Sequence, residues 1–382
     1  MSAEARTPAN GPASALDARW RAESERLQEQ ALPDGRVVVS CPAPYGIGGL
    51  GRHLKEIVQA LERKGQPAAV ICDSSDAENP RQARRAPGVA DLTGLLAPLV
   101  RYSPAWRMWT ASVRFDADAA RRLPPAEELI AFNGTALAQF RAARRAQLKS
   151  ISLMSANSHM RRVIRQHDLA YRQYPLERPW ATHLLRRNLG EYAQADRIYV
   201  ASRYIRDSFA EEGFADEAIS YFPLTPDPRF RPDGSSRDAD TFDIVYSGSL
   251  IVHKGVPLLV DAFRRLAQAD MRLVLVGGWK TPSMRRFIER TRSEDPRVVV
   301  SPGDPLPHLR RARLCVHPAY EDGFGYAPAE ALACGVPVIV SEDTGMKELI
   351  EDDRHGLIIP TGDVGALAQA IEAAYRGEIL GG

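Results

Sequence analysis

Cysteine is scarce in this chain, with four residues in 382: Cys41, Cys72, Cys315 and Cys334. They lie far apart, each in or beside an apolar run. That excludes a disulfide framework and points to reduced, buried thiols of a cytoplasmic protein. No two of them have the spacing of a metal site. Long hydrophobic runs are missing as well, and none approaches the roughly 20 residues of a membrane-spanning helix. The first 35 residues, rich in Ala, Pro, Ser, Arg and Glu, lack the apolar core of a secretory leader. They are expected to form a mobile extension, with at most a short charged helix over Leu16–Leu27. An excess of one charge is absent too. Lys and Arg number 50 against 48 Asp and Glu, a net charge of +2 that selects no partner by itself. Arg141–Arg206 is the local exception, with fourteen basic residues against four acidic ones. Such a stretch suits solvated helix faces, or a surface turned to an anionic acceptor or to anionic lipid at the inner face of a membrane. No nucleic-acid-binding module is recognisable, so nucleic acid is not an expected partner. The remainder, 44% hydrophobic and 26% charged, is a globular composition, and the length accommodates two domains.

The most informative stretch is His317–Ser341, HPAYEDGFGYAPAEALACGVPVIVS. A loop carries Glu321, Asp322, Gly323 and Gly325, a helix follows over about Ala327–Cys334 with Gly335 as its stop, and a buried strand closes the unit at Val336–Val340. The glycines allow the backbone close to a ligand, and the helix directs its positive end at the same place. A diphosphate suits that place. Glu330 can accept two hydrogen bonds from a vicinal diol such as a ribose, and Asp322 can do the same for sugar hydroxyls.

This stretch resembles the signature of the retaining nucleotide-sugar glycosyltransferases of family 4, which have the GT-B fold. In that family two glutamates eight positions apart bracket a Gly-Phe-Gly loop. Here the second is Glu330, the loop is Gly323-Phe324-Gly325, and Asp322 stands in place of the first glutamate with Glu321 beside it. The resemblance implies an α/β protein of two Rossmann-like, doubly wound domains facing a cleft. It implies a donor site holding a nucleotide-diphosphate sugar through Gly48, Gly49, Ser249, Glu321, Gly323, Phe324, Gly325 and Glu330. It implies catalytic parts for Asp322, Lys254 and His159.

Taken in order, the chain fits that outline. Arg36–Ser40 reads as a strand, a proline-bearing loop follows, and Gly46-Ile47-Gly48-Gly49-Leu50-Gly51 opens a helix to about Lys64, ahead of a strand at Ala68–Cys72. The letters G-x-G-x-x-G also spell the dinucleotide fingerprint, with Asp73 after the second strand, so an NAD-dependent oxidoreductase is the competing class. Five residues with two prolines separate strand from first glycine, a wider loop than the fingerprint has. Arg101–Phe115 mixes three arginines with Tyr102, Trp106, Trp109 and Phe115. That suits buried aromatics of an α/β connection, or a membrane interface or lipid-linked acceptor. Glu128–Phe132 and Lys149–Met154 read as strands around a helix at Thr135–Ala146. His159 lies beyond the second of them, where α/β ligand sites form. Ser202 reads as the cap of a helix after a strand at Arg197–Val200.

The expected division is a mobile extension over 1–35, an acceptor-binding domain over 36–225, a Pro- and Asp-rich linker over 226–240, and a donor-binding domain over 241–382. In the second domain, Gly248-Ser249-Leu250, then Lys254-Gly255, Val276-Gly277-Gly278 and Gly362-Asp363 all fall where family 4 has its loops. The family commonly has an arginine where Ser249 stands, sharing the diphosphate with the lysine. Related chains usually end in a helix returning to the first domain; here the last helix, about Val364–Tyr375, is close to the end of the sequence. The triplets Asp116-Ala-Asp118 and Asp238-Ala-Asp240 read as solvated loops or caps, and no metal is expected to be required. Three classes stay open: a metal-independent retaining glycosyltransferase, a non-catalytic nucleotide-sugar binder, and the oxidoreductase.

Overall fold

In the computed structural model of the chain, residues 12–66, 68–73, 83–85, 104–233 and 240–379 are described. They form two compact units. The N-terminal unit comprises Ser24–Asp168 and Arg178–Leu224. The C-terminal unit takes the residues up to Glu23, Leu169–Glu177 and everything from Thr225 onward.

Helix α1 (Pro12–Ala31) leads into the N-terminal unit. Its sheet contains β1 (Val37–Cys41), β2 (Ala68–Cys72), β3 (Ala83–Arg85), β4 (Glu128–Phe132), β5 (Ser150–Ser155), β6 (Arg197–Val200) and β7 (Ile219–Tyr221). All pairs are parallel, in the order β3-β2-β1-β4-β5-β6-β7. Every residue of β1 is buried, because a central parallel strand is covered by helices on both faces and reads as a continuous apolar run. The helices are α2 (Gly48–Arg63), α3 (Pro104–Arg121), α4 (Leu137–Arg145), α5 (Met160–Gln173), α6 (Leu185–Tyr192) and α7 (Arg203–Ala210). In α2 the buried residues Leu54, Ile57, Val58 and Leu61 recur at three- and four-residue steps, which is the stripe that docks a helix on a sheet. Ser202 caps α7 by accepting from the Ile205 N–H at 3.2 Å.

The C-terminal sheet contains β8 (Phe242–Ser247), β9 (Met271–Val276), β10 (Val298–Val300), β11 (Leu314–His317), β12 (Val338–Ser341) and β13 (Gly356–Ile359), all parallel, in the order β10-β9-β8-β11-β12-β13. Around it lie α8 (Val256–Phe263), α9 (Pro282–Glu294), α10 (Leu306–Arg311), α11 (Tyr326–Ala333) and α12 (Val364–Tyr375). Both sheets therefore show the expected doubly wound order. In each, the order reverses beside the first strand, between β1 and β4 and between β8 and β11. Ligands of such sheets bind outside the carboxyl ends of the strands at that point. No helix among the described residues is long and apolar enough to cross a membrane.

Three expectations need correction. Residues 12–31 form α1 rather than a mobile extension. Its Trp20 ring stacks on Phe324 at 6.1 Å and Arg21 donates to the Pro226 carbonyl at 3.0 Å, while Gln28 donates to the Pro223 carbonyl at 2.7 Å. The segment from Thr225 is not a free linker. Phe230 is 1% exposed in the C-terminal core, and Arg229 pairs with Asp304 at 2.7 Å. Residues 234–239, including Asp238 of the second acidic triplet, lie outside the described residues. The first triplet sits within α3 rather than in a solvated loop. Asp118 pairs with Arg121 and Arg122, while Asp116 is 1% exposed. Asp116 does act as a cap, though of another helix: it accepts from the Ala138 and Gln139 N–H groups at 2.7 and 2.9 Å, at the start of α4.

The basic excess over Arg141–Arg206 is also in part answered inside the fold. Arg162 pairs with Glu211, Arg206 with Asp216, Arg144 with Asp196, and Arg187 with Asp116 and Glu191. Glu211 and Asp216 lie just beyond that stretch. The Arg187 cluster is the buried one. Glu191 accepts from the Gly134 and Ala136 N–H groups at 2.6 and 2.8 Å, and burial pushes its carboxyl up to about 7 against the pull of those bonds and of Arg187. Asp116→Ala would leave Arg187, 11% exposed, without its closer carboxylate. A loss of about 3–5 kcal/mol in urea unfolding is expected, since removing one member of a buried pair strands the other. Arg187→Met placed on top of it should recover part of the loss, and a loss under about 1 kcal/mol for Asp116→Ala would mean that the cluster is not held as described.

Candidate active site

Most of the sequence-selected residues of the C-terminal unit meet at its switch point. After β8 the chain passes Gly248 and Ser249 into a short 3-10 turn, Val252–Lys254. Gly255 then adopts φ +76°, and a Cβ there would meet the Pro318 carbonyl oxygen at 1.9 Å, so only glycine lets the turn close against the segment after β11. That close approach delivers Lys254. Its Nζ lies 3.0 Å from Asp322 Oδ2 and 2.9 Å from the Glu321 carbonyl oxygen. His317, the last residue of β11, places Nε2 2.9 Å from the same Asp322 oxygen. Asp322 is tied by its backbone to Asp343 and Gly345 at 3.0 and 2.9 Å.

Burial alone would raise the Asp322 carboxyl, but the Lys254 ammonium and the His317 hydrogen bond outweigh it and hold Asp322 well below the usual carboxylate range. Both side-chain contacts fall on Oδ2. A carboxylate has about four acceptor sites, so Oδ1 keeps acceptor capacity. An ammonium has three donors, and Glu321 and Asp322 account for two of those of Lys254.

The glycine turn comes next. Gly325, at φ +89°, is the N-cap of α11, and a Cβ there would lie 2.9 Å from the Thr344 methyl. Phe324 turns inward, 4% exposed, between Trp20 and Tyr326, and its carbonyl accepts from the Met346 N–H at 2.6 Å. Its side chain therefore anchors the turn. Glu330 on α11 and Glu321 are buried, at 2% and 1% exposure. Ser249 is half-buried, and its carbonyl accepts from the Tyr246 hydroxyl at 2.9 Å. His253, next to Lys254, is 8% exposed and 3.0 Å from the Tyr171 hydroxyl, so it packs into the core. His317 was not singled out from the sequence. Its position at a strand end, five residues before Asp322, was the available signal.

Two family profiles cover most of the chain. One described as Glycosyl transferases group 1 matches residues 241–376, and one described as Glycosyltransferase Family 4 matches residues 47–228. The chain belongs to the family 4 glycosyltransferases. A D-inositol 3-phosphate glycosyltransferase of Pseudarthrobacter chlorophenolicus is 24% identical over 87% of this chain and 83% of its own length. The capsular polysaccharide biosynthesis glycosyltransferase CapM of Staphylococcus aureus is 27% identical over 37% of this chain and 38% of CapM. Among solved structures, sucrose-phosphate synthase of Thermosynechococcus elongatus superposes with a TM-score of 0.66 at 20% identity, over 89% of this chain and 90% of that one. HepE of Anabaena gives 0.61 at 19% identity over 90% of both chains. These likenesses show the GT-B fold.

The remaining selected residues of this family 4 glycosyltransferase belong to its N-terminal unit. Gly48 and Gly49 open α2, exposed, with no atom within 4 Å of a Cβ built on either. Gly51 is the constrained one, since its Cβ would meet the Pro44 carbonyl oxygen at 2.0 Å. It packs against its own loop, whereas the third glycine of a dinucleotide fingerprint serves helix–strand packing. His159 is 1% exposed among Tyr192, Phe209 and Phe214, at ring distances of 4.8, 5.2 and 6.0 Å. Burial pushes it down to about 4, so the folded chain holds it neutral.

Between its ordinary 6.5 and about 4 the unfolded chain binds the proton first. Stability from this site is therefore full above pH 6.5 and is lost as pH falls through that window. His159→Phe is expected to flatten the decline in urea midpoint over that window without abolishing it, because His53, pushed down to about 3 by burial, contributes the same sign. An unchanged slope in the variant would contradict the buried, neutral assignment.

Proposed function

We propose that the chain transfers a sugar from a nucleoside-diphosphate sugar to a hydroxyl-bearing acceptor, with retention of anomeric configuration and without a metal. The observation that carries this reading is the Lys254–Asp322 pair at the carboxyl ends of β8 and β11, immediately ahead of the Gly323–Gly325 turn and the start of α11. HepE of Anabaena has been solved with UDP-glucose, and a mannosyltransferase of Mycolicibacterium smegmatis, 27% identical over 59% of this chain, is named as GDP-mannose-dependent. Those names support the donor class and leave the base and sugar open.

In the reaction the bond from the anomeric carbon to the diphosphate oxygen breaks while the acceptor oxygen bonds to the same carbon from the same face. The acceptor's proton passes to the departing phosphate oxygen. Negative charge grows on the diphosphate, and Lys254, with backbone N–H groups at the start of α11, would stabilise it without rearranging. Asp322 Oδ1 would hold sugar hydroxyls and fix the anomeric carbon in line. Glu330 would accept from the ribose diol. Glu321 supports Lys254 through its carbonyl, and His159 is assigned to the core of its unit rather than to chemistry.

A non-catalytic binder is the second reading, favoured by Ser249 in the place of a family arginine. Transfer by the purified full chain separates the two. With the donor that binds, the product anomer read by proton NMR should match the donor's. Asp322→Asn should lower kcat by about 10²-fold, as loss of a positioning contact does. Wild-type binding without transfer to any acceptor would favour the binder, and transfer undiminished in Asp322→Asn would remove Asp322 from the mechanism.

A further inference from the structure

The N-terminal unit contains a cavity of about 880 Å³ whose described lining residues all belong to that unit. It sits at the switch point of the first sheet. Pro42 follows β1, Asp73 follows β2, Asn133 follows β4 and Asn157 follows β5. Its volume lies in the upper part of the range for sites that enclose drug-sized ligands, about 300–1,000 Å³.

Two kinds of surface line it. The walls are apolar: Met108 and Phe115 from α3, Met160 and Val163 from α5, then Trp180 and Leu184. The sheet end is amide-rich. Asn133 Nδ2 donates to Asn188 Oδ1 at 3.2 Å, and Asn133 Oδ1 accepts from the Ala156 N–H at 3.2 Å. These bonds hold the Asn133 amide in one orientation. The loop beneath it, Gly134–Ala136, is fixed by Glu191.

The charged lining decides which acceptor fits. Among the described residues it consists of Arg114, Asp73 and Asp118. Asp118 is already paired with Arg121 and Arg122, and the lining contains no lysine or histidine among the described residues. A phosphomonoester carries close to two negative charges and needs converging cations or backbone donors. One arginine among two aspartates does not provide them. An uncharged ligand with an apolar body would bury that body against the walls and use its hydroxyls at the amides.

We infer that this cavity seats the acceptor, and that the acceptor is an uncharged amphiphile: a hydroxylated group at Asn133 and Asn157 joined to an aryl or alkyl body between Phe115, Met160 and Trp180. The word acceptor rests on the transferase reading; the ligand class rests on the cavity alone.

The test is titration calorimetry on the full chain. The probes are octyl glucoside, octyl galactoside and octyl mannoside below their micelle concentrations, against the matching methyl glycosides and 6-phosphates. At least one octyl glycoside is expected to bind at least about ten-fold more tightly than its methyl and phosphorylated counterparts. Ala111→Trp and Ser112→Trp fill the cavity from α3, where Ala111 is exposed and Ser112 half-buried. Each is expected to weaken octyl glycoside binding by at least about ten-fold while nucleoside-diphosphate binding stays unchanged. The inference is overturned if a 6-phosphate binds best, if no octyl glycoside binds better than its methyl glycoside, or if folded variants bind as the wild type does. The wild-type ranking stands even where a variant fails to fold. Failure of the transferase reading would look different: no sugar would pass from a bound nucleotide sugar to any acceptor, whatever the octyl glycosides do. Transfer to an octyl glycoside in solution, compared with transfer to the same glycoside on a long lipid in vesicles, distinguishes a soluble aglycone from a membrane glycolipid.

Discussion

One ion pair organises the C-terminal unit. Lys254 and Asp322 come from different strand ends, and each is about one-fifth exposed. At such a site their attraction exceeds that of a surface pair, which is worth about 0–1 kcal/mol, because less water screens it. The pair forms only because Gly255 lets one turn lie against Pro318, and because the Asp322 backbone is bonded to Asp343 and Gly345. The same turn carries Gly325 over Thr344 and sets the start of α11. A cation, a carboxylate and a helix start are thus fixed in one place before any ligand arrives, which is the condition for stabilising a leaving anion without reorganisation. His317 completes the arrangement by sharing Asp322 Oδ2, and its ring stacks on Tyr246 at 6.1 Å.

Much of this was legible in the residues because the determinants are local. The Gly323-Phe324-Gly325 letters, the helix after them and the apolar run of β12 are contiguous, and each has a single physical reading. The strands were legible for the same reason: Val37–Val39 or Val338–Val340 admit little else. The inward turn of Phe324 was not legible, since it depends on Trp20, some three hundred positions away. His317 escaped notice because a lone histidine at a strand end has no pattern.

The misread segments share a cause. Residues 12–31 look like an extension because their own sequence offers a weak apolar stripe, and the helix they form is held by distant partners at Pro223 and Pro226. The proline-rich stretch after Thr225 looks like a linker until Phe230 is seen to be buried. Asp116 was legible as a cap but not as a buried one, since its partner Arg187 is 71 positions on. The N-terminal cavity was only partly legible: Leu50 belongs to the glycine motif and Met108, Arg114 and Phe115 to the aromatic, arginine-bearing stretch, but the lining is assembled from separate segments that no sequence pattern brings together.

The central claim is that Lys254, with Asp322 beside it, forms a diphosphate site that works without a metal. It is tested most directly by titration calorimetry of the full chain with UDP, GDP and ADP in EDTA, on the wild type and on Lys254→Met, which keeps the bulk and removes the charge. The account predicts that one diphosphate binds the wild type in EDTA and that the variant weakens it by at least about thirty-fold, the loss of roughly 2 kcal/mol. Equal binding by wild type and variant, or binding that appears only when Mg²⁺ replaces EDTA, would contradict it.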